Sequence, residues 1–218
     1  MVTCNLAVVR RRCQRIPEFE GPLRSPRDCL VVATDPSYVP AMAPMTAEEL
    51  LRTHLPDKRV ELVRGVLVVR EPGGYRHGDV TARLAKRLMD VVEAGGLGRV
   101  LAAETGFKLA ADPDTVRAPD VAFVSRERLP DPDLLGYPAL APDLVVEVLS
   151  PGDRPGETLA KVADWLKAGS RLVWVVDPNR RVVHVYRQDG SEALIAEPRV
   201  LSGEDVVPGF EGRLEAIL

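Results

Sequence analysis

The stretch Asp143-Leu-Val-Val-Glu147-Val-Leu149 is apolar on both faces except at Glu147. Such a strand belongs in the interior of a sheet covered by helices on each side. Helical spacing over Glu157 to Ala168 follows it and stops at Gly169, ahead of a second apolar run, Leu172-Val-Trp-Val-Val176. Strand, helix and strand in this order predict a parallel crossover. Asp177-Pro-Asn179 then turns the chain into Val182-Val-His-Val-Tyr186, which reads as a hairpin partner. The expected class is α/β, with a central mixed β-sheet flanked by α-helices.

Upstream of this heart the pattern alternates between helix and strand. Thr46-Ala-Glu-Glu49 is a capping box ahead of Leu50 and Leu51, so a first helix is expected to run to about His54. Val60-Glu-Leu-Val63 and Val66-Leu-Val-Val69 flank Arg64-Gly65, a hairpin signal. From His77 to about Ala94, Val80, Leu84, Leu88, Val91 and Val92 recur at helical spacing, and Gly95-Gly96 supplies the stop. Strands fit Arg99 to Ala103, Gly106 to Ala110 and Asp120 to Val124. A proline-rich loop spans about Ser125 to Pro142, long enough to invite a functional role. The tail from Glu192 to Leu218 reads as one or two short strands and a final turn.

Residues 1–44 differ in character, mixing arginines with prolines at 17, 22, 26, 36, 40 and 44 and showing no sustained period. They read as a disordered or loosely attached extension, with one globular domain over 45–218. Met42 and Met45 stand where order begins, so a natural translation start near them is expected; an intact mass beginning at Met1 would exclude it. The three cysteines, Cys4, Cys13 and Cys29, all lie in this extension at spacings that match neither a zinc site nor a disulfide framework. With no secretory pattern either, a cytoplasmic protein is expected. No apolar run approaches the roughly 20 residues of a membrane span, so no membrane partner is expected.

Charge bears on the partner. Residues 1–44 hold six arginines against four acids, so of the net charge of −3 the remaining chain carries −5. A phosphate-binding surface therefore has to be local or depend on metal ions.

Two acids lie in separate apolar strands: Asp120 in Pro119-Asp-Val-Ala-Phe-Val124, and Glu147. A buried carboxylate is costly unless paired, hydrogen-bonded or bound to a cation, so the two suggest a divalent-metal site, with Lys161 as a candidate lysine. Bland readings stand beside this one. Asp120 suits the start of a strand, accepting backbone N–H groups; Glu147 suits an ion pair with an arginine; Glu61 suits a solvated strand position. His77 suits a helix cap or a solvated site better than a phosphate contact. Ser150 has no nucleophile elbow around it and reads as a turn residue.

The order of segments resembles the Uma-type putative restriction endonucleases, a branch of the PD-(D/E)XK nuclease superfamily. The resemblance spans about residues 45–218. It rests on Glu61-Leu-Val-Arg-Gly65, Glu104-Thr-Gly-Phe107, Arg117-Ala-Pro-Asp-Val-Ala-Phe123, Asp143-Leu-Val-Val-Glu-Val-Leu-Ser-Pro151, Lys161 with Trp165, and Arg171-Leu-Val-Trp-Val-Val-Asp-Pro178. It implies a restriction-endonuclease-like core and Mg2+-dependent cleavage of DNA, with Mn2+ as a possible substitute. Asp120 and Glu147 are then the metal ligands, Glu61 an additional acid that binds a second ion or anchors the first through water, and Lys161 the lysine that orients or deprotonates the attacking water. A homodimer is expected by analogy, since two symmetric sites cut both strands of a duplex. The rival expectation is a catalytically silent module that keeps the fold and binds nucleic acid or protein.

Two departures bear on the lysine. The superfamily places it two residues after the glutamate, where this chain has Leu149, while Ser150 and a helix-borne Lys161 fit this branch. A helical wheel with Leu159, Val162, Ala163 and Leu166 inward puts Lys161 about 200° from Leu159, pointing away, although its long stem can still reach a sheet edge with Trp165 packed against it.

Overall fold

In a computed structural model, which describes residues 43–218, the chain begins with α1 (Ala47–Arg52). Both hydrogen bonds of its capping box form, between Thr46 and Glu49. The hairpin of β1 (Arg59–Val63) and β2 (Val66–Arg70) follows, its turn closed by Gly65 at φ +75°. Next come α2 (Tyr75–Gly95), β3 (Gly98–Ala102), β4 (Phe107–Ala110), β5 (Thr115–Arg117) and β6 (Val121–Ser125). A loop carrying one 3-10 turn, Arg126–Arg128, leads to β7 (Leu144–Val148), α3 (Pro155–Ala168), β8 (Leu172–Asp177) and β9 (Val182–Arg187). The tail holds β10 (Glu192–Ala196), β11 (Val200–Ser202) and β12 (Glu211–Arg213), then a 3-10 turn, Leu214–Ala216. The extension expected over residues 1–44 lies, apart from its last two positions, outside the described residues.

The main sheet is mixed and six-stranded, in the order β10-β9-β8-β7-β6-β3, and only β7 and β8 run parallel. β7 is buried at every position, as its two apolar faces require. One face packs Leu144, Val146 and Trp174 against Val80, Leu84, Leu88 and Val92 of α2. The other packs Val145, Val173 and Val175 against Val162 and Trp165 of α3. Fully burying a side chain of this size contributes about 1.5–3 kcal/mol, so both helices are held chiefly by these contacts.

Four of the remaining strands form a second, antiparallel sheet, β2-β1-β5-β4, with α1 packed on it through Leu50 against Leu62 and Val116, and β11 pairs with β12 in a small ribbon of the tail. A single central sheet would keep β3 and β4 together. They part because Ala103 and Glu104 both adopt positive φ, 55° and 62°, turning the chain out of the main sheet. β5 has no counterpart among the expected strands: three residues between Asp114 and Ala118 are too few for a visible alternation. Among the described residues no helix is long and apolar enough to cross a membrane.

Candidate active site

Side chains on a strand alternate, so Glu147 shares a face of β7 with Val145 and points toward α3, away from α2. There Trp165 Nε1 donates to Glu147 Oε1 at 2.9 Å, and Lys161 Nζ donates to Oε2 at 3.0 Å. Trp165 and Lys161 are four residues apart and so stand one above the other on one helical face. The faces of α3 differ from the expected wheel. Leu159, placed inward by its hydrophobicity, is 52% exposed, and the inward face is the one carrying Lys161, Val162 and Trp165. Trp165 acts through its indole N–H, while its ring meets Phe107 edge-on at 6.3 Å.

Asp120 immediately precedes β6, beside β7. Its N–H donates to Val146 O at 3.1 Å, and its Oδ2 accepts the Val148 N–H at 2.7 Å. Oδ1 accepts from Arg59 Nη2 at 2.8 Å, and His77 Nε2 lies 3.1 Å from it. The strand-start reading holds for Oδ2, which takes a backbone N–H, while Oδ1 meets the side chains of Arg59 and His77. His77 takes neither of its bland roles; it is largely buried against this carboxylate.

Glu61 is buried on β1, which excludes the solvated reading. Its Oε1 accepts the Ala118 N–H at 3.1 Å and lies 3.2 Å from Lys161 Nζ; its Oε2 accepts from Arg117 Nη1 at 3.1 Å. Arg117 reaches on to Asp164 Oδ2 through Nη2 at 2.6 Å and Nε at 3.1 Å. Ser150 forms a turn, its N–H donating to Asp153 Oδ2 at 2.7 Å. Asp120, Glu147, Glu61 and Lys161 therefore converge on one cavity of about 450 Å3, whose wall also holds Arg59, Arg70 and His77. Sequence reasoning assigned no role to these two arginines or to Arg117.

Burial raises the Glu147 carboxyl above its ordinary range; Lys161 opposes this, while the charges of Asp120 and Glu61 add to it. Burial pushes Asp120 the same way, yet the His77 hydrogen bond and charge, the Val148 N–H and Arg59 outweigh it and hold that carboxyl low. Glu61 is also held low, because Lys161, Arg117 and the Ala118 N–H overcome its burial. For Lys161 burial favours the neutral amine, but Glu147 and Glu61 prevail and keep the ammonium protonated. Two carboxylates are thus held ionised beside one that burial makes resist ionisation.

The donor chemistry fits Mg2+, which takes one or two carboxylates and keeps much of its water. Among the described residues no three acidic, histidine or cysteine side chains are grouped to enclose an ion. The fit is therefore to a water-rich ion on Asp120 and Glu147, with Glu61 committed to Arg117 and Lys161.

A family model described as "Uma2: Putative restriction endonuclease" matches residues 47–216. The chain belongs to the Uma2 family. A crystal structure described as a putative nuclease of the DUF820 group from Anabaena variabilis ATCC 29413 shares its fold, with a TM-score of 0.70. The two are 21% identical over 80% of this chain and 97% of that one. No curated protein matches this Uma2 member.

Proposed function

We propose that this Uma2 protein is a magnesium-dependent endonuclease that hydrolyses DNA phosphodiester bonds. The observation that carries the reading is Lys161, restored by α3 to a position 3.0 Å from Glu147 in the cavity that Asp120 also lines, although the strand position usual for the lysine is Leu149. Bound Mg2+ would supply a Lewis acid for the phosphate and lower the pKa of water, and Mn2+ would substitute. The acids lining the cavity, Glu61, Glu71, Glu104, Asp120, Glu147, Asp153 and Glu157, outnumber Arg59, Arg70 and Lys161, so a phosphate is repelled until a divalent cation joins it.

The chain's own residues then orient the reaction. Val148 N–H fixes one oxygen of Asp120, and Trp165 N–H fixes one oxygen of Glu147, leaving the second oxygen of each to face the cavity's cations. Lys161 stays protonated, so Nζ donates hydrogen bonds to the attacking water and to charge developing on the phosphate. Glu61, itself held by Arg117, anchors that ammonium from the other side. Two such sites in a homodimer would cut both strands of a duplex.

A second reading, a catalytically silent binding module, has one observation behind it: every carboxylate of the cluster already has a cationic partner. Calorimetric titration of Mg2+ and Mn2+ into wild type and Glu147→Ala separates the two. Binding that disappears with Glu147, followed by metal-dependent DNA cleavage lost in Asp120→Ala and Glu147→Ala, is expected for the nuclease. Nucleic-acid or protein binding indifferent to Mg2+, with no cleavage, would establish the silent module.

A further inference from the structure

Arg59 and Arg70 are directly opposed partners across the β1–β2 hairpin, so both side chains leave the same face, and both line the cavity. Like charges in directly opposed positions destabilise an antiparallel pair. A hairpin that keeps them needs anions on that face; five carboxylates stand within 4.0 Å of the pair, two close to Arg59 and three more loosely placed around Arg70. Arg59 Nη2 rests on Asp120 Oδ1, which is one of the two carboxylates assigned to the metal, and its Nε lies 2.7 Å from the half-exposed Glu104. Among the described residues, Arg70 makes a single side-chain hydrogen bond, Nη2 to Glu157 at 3.3 Å. Asp153 stands 3.7 Å away and Glu61 4.0 Å, and the buried Arg70 Nε has no hydrogen-bond partner among them.

We propose that Arg59 and Arg70 form a two-arginine clamp for the non-bridging oxygens of a nucleic-acid phosphodiester, engaged once a divalent cation occupies Asp120. The proposal rests on the nuclease reading of the site and adds the residues that grip the substrate. A guanidinium presents parallel N–H donors that match a phosphate, and its charge survives at any physiological pH. The cation and Arg59 compete for Asp120, so metal loading frees Nη2 on the cavity wall where the phosphate arrives. Arg70 needs no release, because most of its donors are already idle. In a domain of net negative charge, this opposed pair supplies cationic donors at the cavity, which a divalent ion would complement in holding a phosphate.

The test is fluorescence anisotropy with a short labelled DNA duplex, in Ca2+ to hold cleavage off and separately in EDTA. Wild type, Arg59→Gln and Arg70→Gln are compared across a salt series. In Ca2+ each variant should bind about tenfold more weakly, with the salt slope reduced by about one. In EDTA, Arg59→Gln should match wild type, since Arg59 is then engaged with Asp120. Should a glutamine variant fail to fold, Arg59→Lys and Arg70→Lys keep the charge without the fork and are expected to lose part of the affinity. Unchanged affinity and slope in Ca2+, or an equal loss by Arg59→Gln with and without Ca2+, overturns the clamp. Wild type that binds no divalent cation in calorimetry overturns the nuclease reading and the clamp together; cation binding with undiminished DNA affinity in the variants overturns the clamp alone.

Discussion

The Lys161 ammonium lies 3.0 Å from the Glu147 carboxylate, a helix-borne cation meeting a strand-borne anion inside the protein. Because Lys161 also stands 3.2 Å from Glu61, its removal leaves Glu147 without its cation and takes one of two close cations from Glu61, which keeps Arg117. Breaking a buried pair by deleting one partner costs about 3–5 kcal/mol. Lys161→Ala should therefore lose stability of that order in urea denaturation at neutral pH as well as any cleavage. The stability deficit should narrow in acid, where Glu147 takes up a proton; a deficit independent of pH would contradict the pairing.

Asp120 and Glu147 should drive stability in opposite directions with pH. The folded state holds Asp120 below its ordinary value of 3.8, so that carboxylate stabilises the fold above this pH and loses its contribution as pH falls through the folded value. Glu147 is raised above 4.5, so its contribution is full below that pH and is lost as pH rises through the folded value. Urea titrations of the metal-free protein check this. The advantage of wild type over Asp120→Asn should shrink on acidification below 3.8, while its balance against Glu147→Gln should improve on acidification toward 4.5. Slopes of the same sign would be inconsistent with these shifts.

Magnesium should stabilise the folded chain by mass action. At a hundred times the dissociation constant the gain is about 2.7 kcal/mol, which for a domain of this size raises Tm by about 5–10 °C. Thermal melts with and without Mg2+ should show that rise in wild type and none in Asp120→Ala. A rise retained in Asp120→Ala would move the ion elsewhere.

Arg117 should matter to the site without touching the substrate. It is buried between Glu61 and Asp164 and determines where Glu61, and through it Lys161, can stand. Arg117→Met is expected to cost about 3 kcal/mol in chemical denaturation, because it leaves Glu61 with one cation instead of two. Stability equal to wild type would show that Lys161 alone neutralises Glu61.

Much of this arrangement was legible in the sequence, for identifiable reasons. β7 announced itself because a doubly covered strand must be apolar at nearly every position, which also made Glu147 conspicuous. The parallel crossover through α3 followed from the order of segments. Lys161 was placed on the wrong side because hydrophobicity ranked Leu159 as inward, whereas burial at that turn is decided by two acids that need a cation. Arg59 and Glu61, two positions apart on β1, had to share a face, and Arg70 sits opposite Arg59 at the same distance from the hairpin turn. That signal was present but is indistinguishable from ordinary surface charge without a partner. The separation into two sheets was not legible, since it depends on the backbone of Ala103 and Glu104, neither a residue that advertises positive φ.

The two-sheet construction has a consequence for the life of the polypeptide. Glu61 and the clamp arginines belong to the four-stranded sheet, Asp120 and Glu147 to the main one, and Lys161 is made last of them, well after the chain has left Glu61 behind. During synthesis, therefore, a growing chain displays acids and arginines for a long interval without the ammonium that joins them. Only a chain that has brought Lys161 back to Glu61 has a complete centre. If that centre cuts DNA, cleavage has to wait until α3 has been made and has returned to β1.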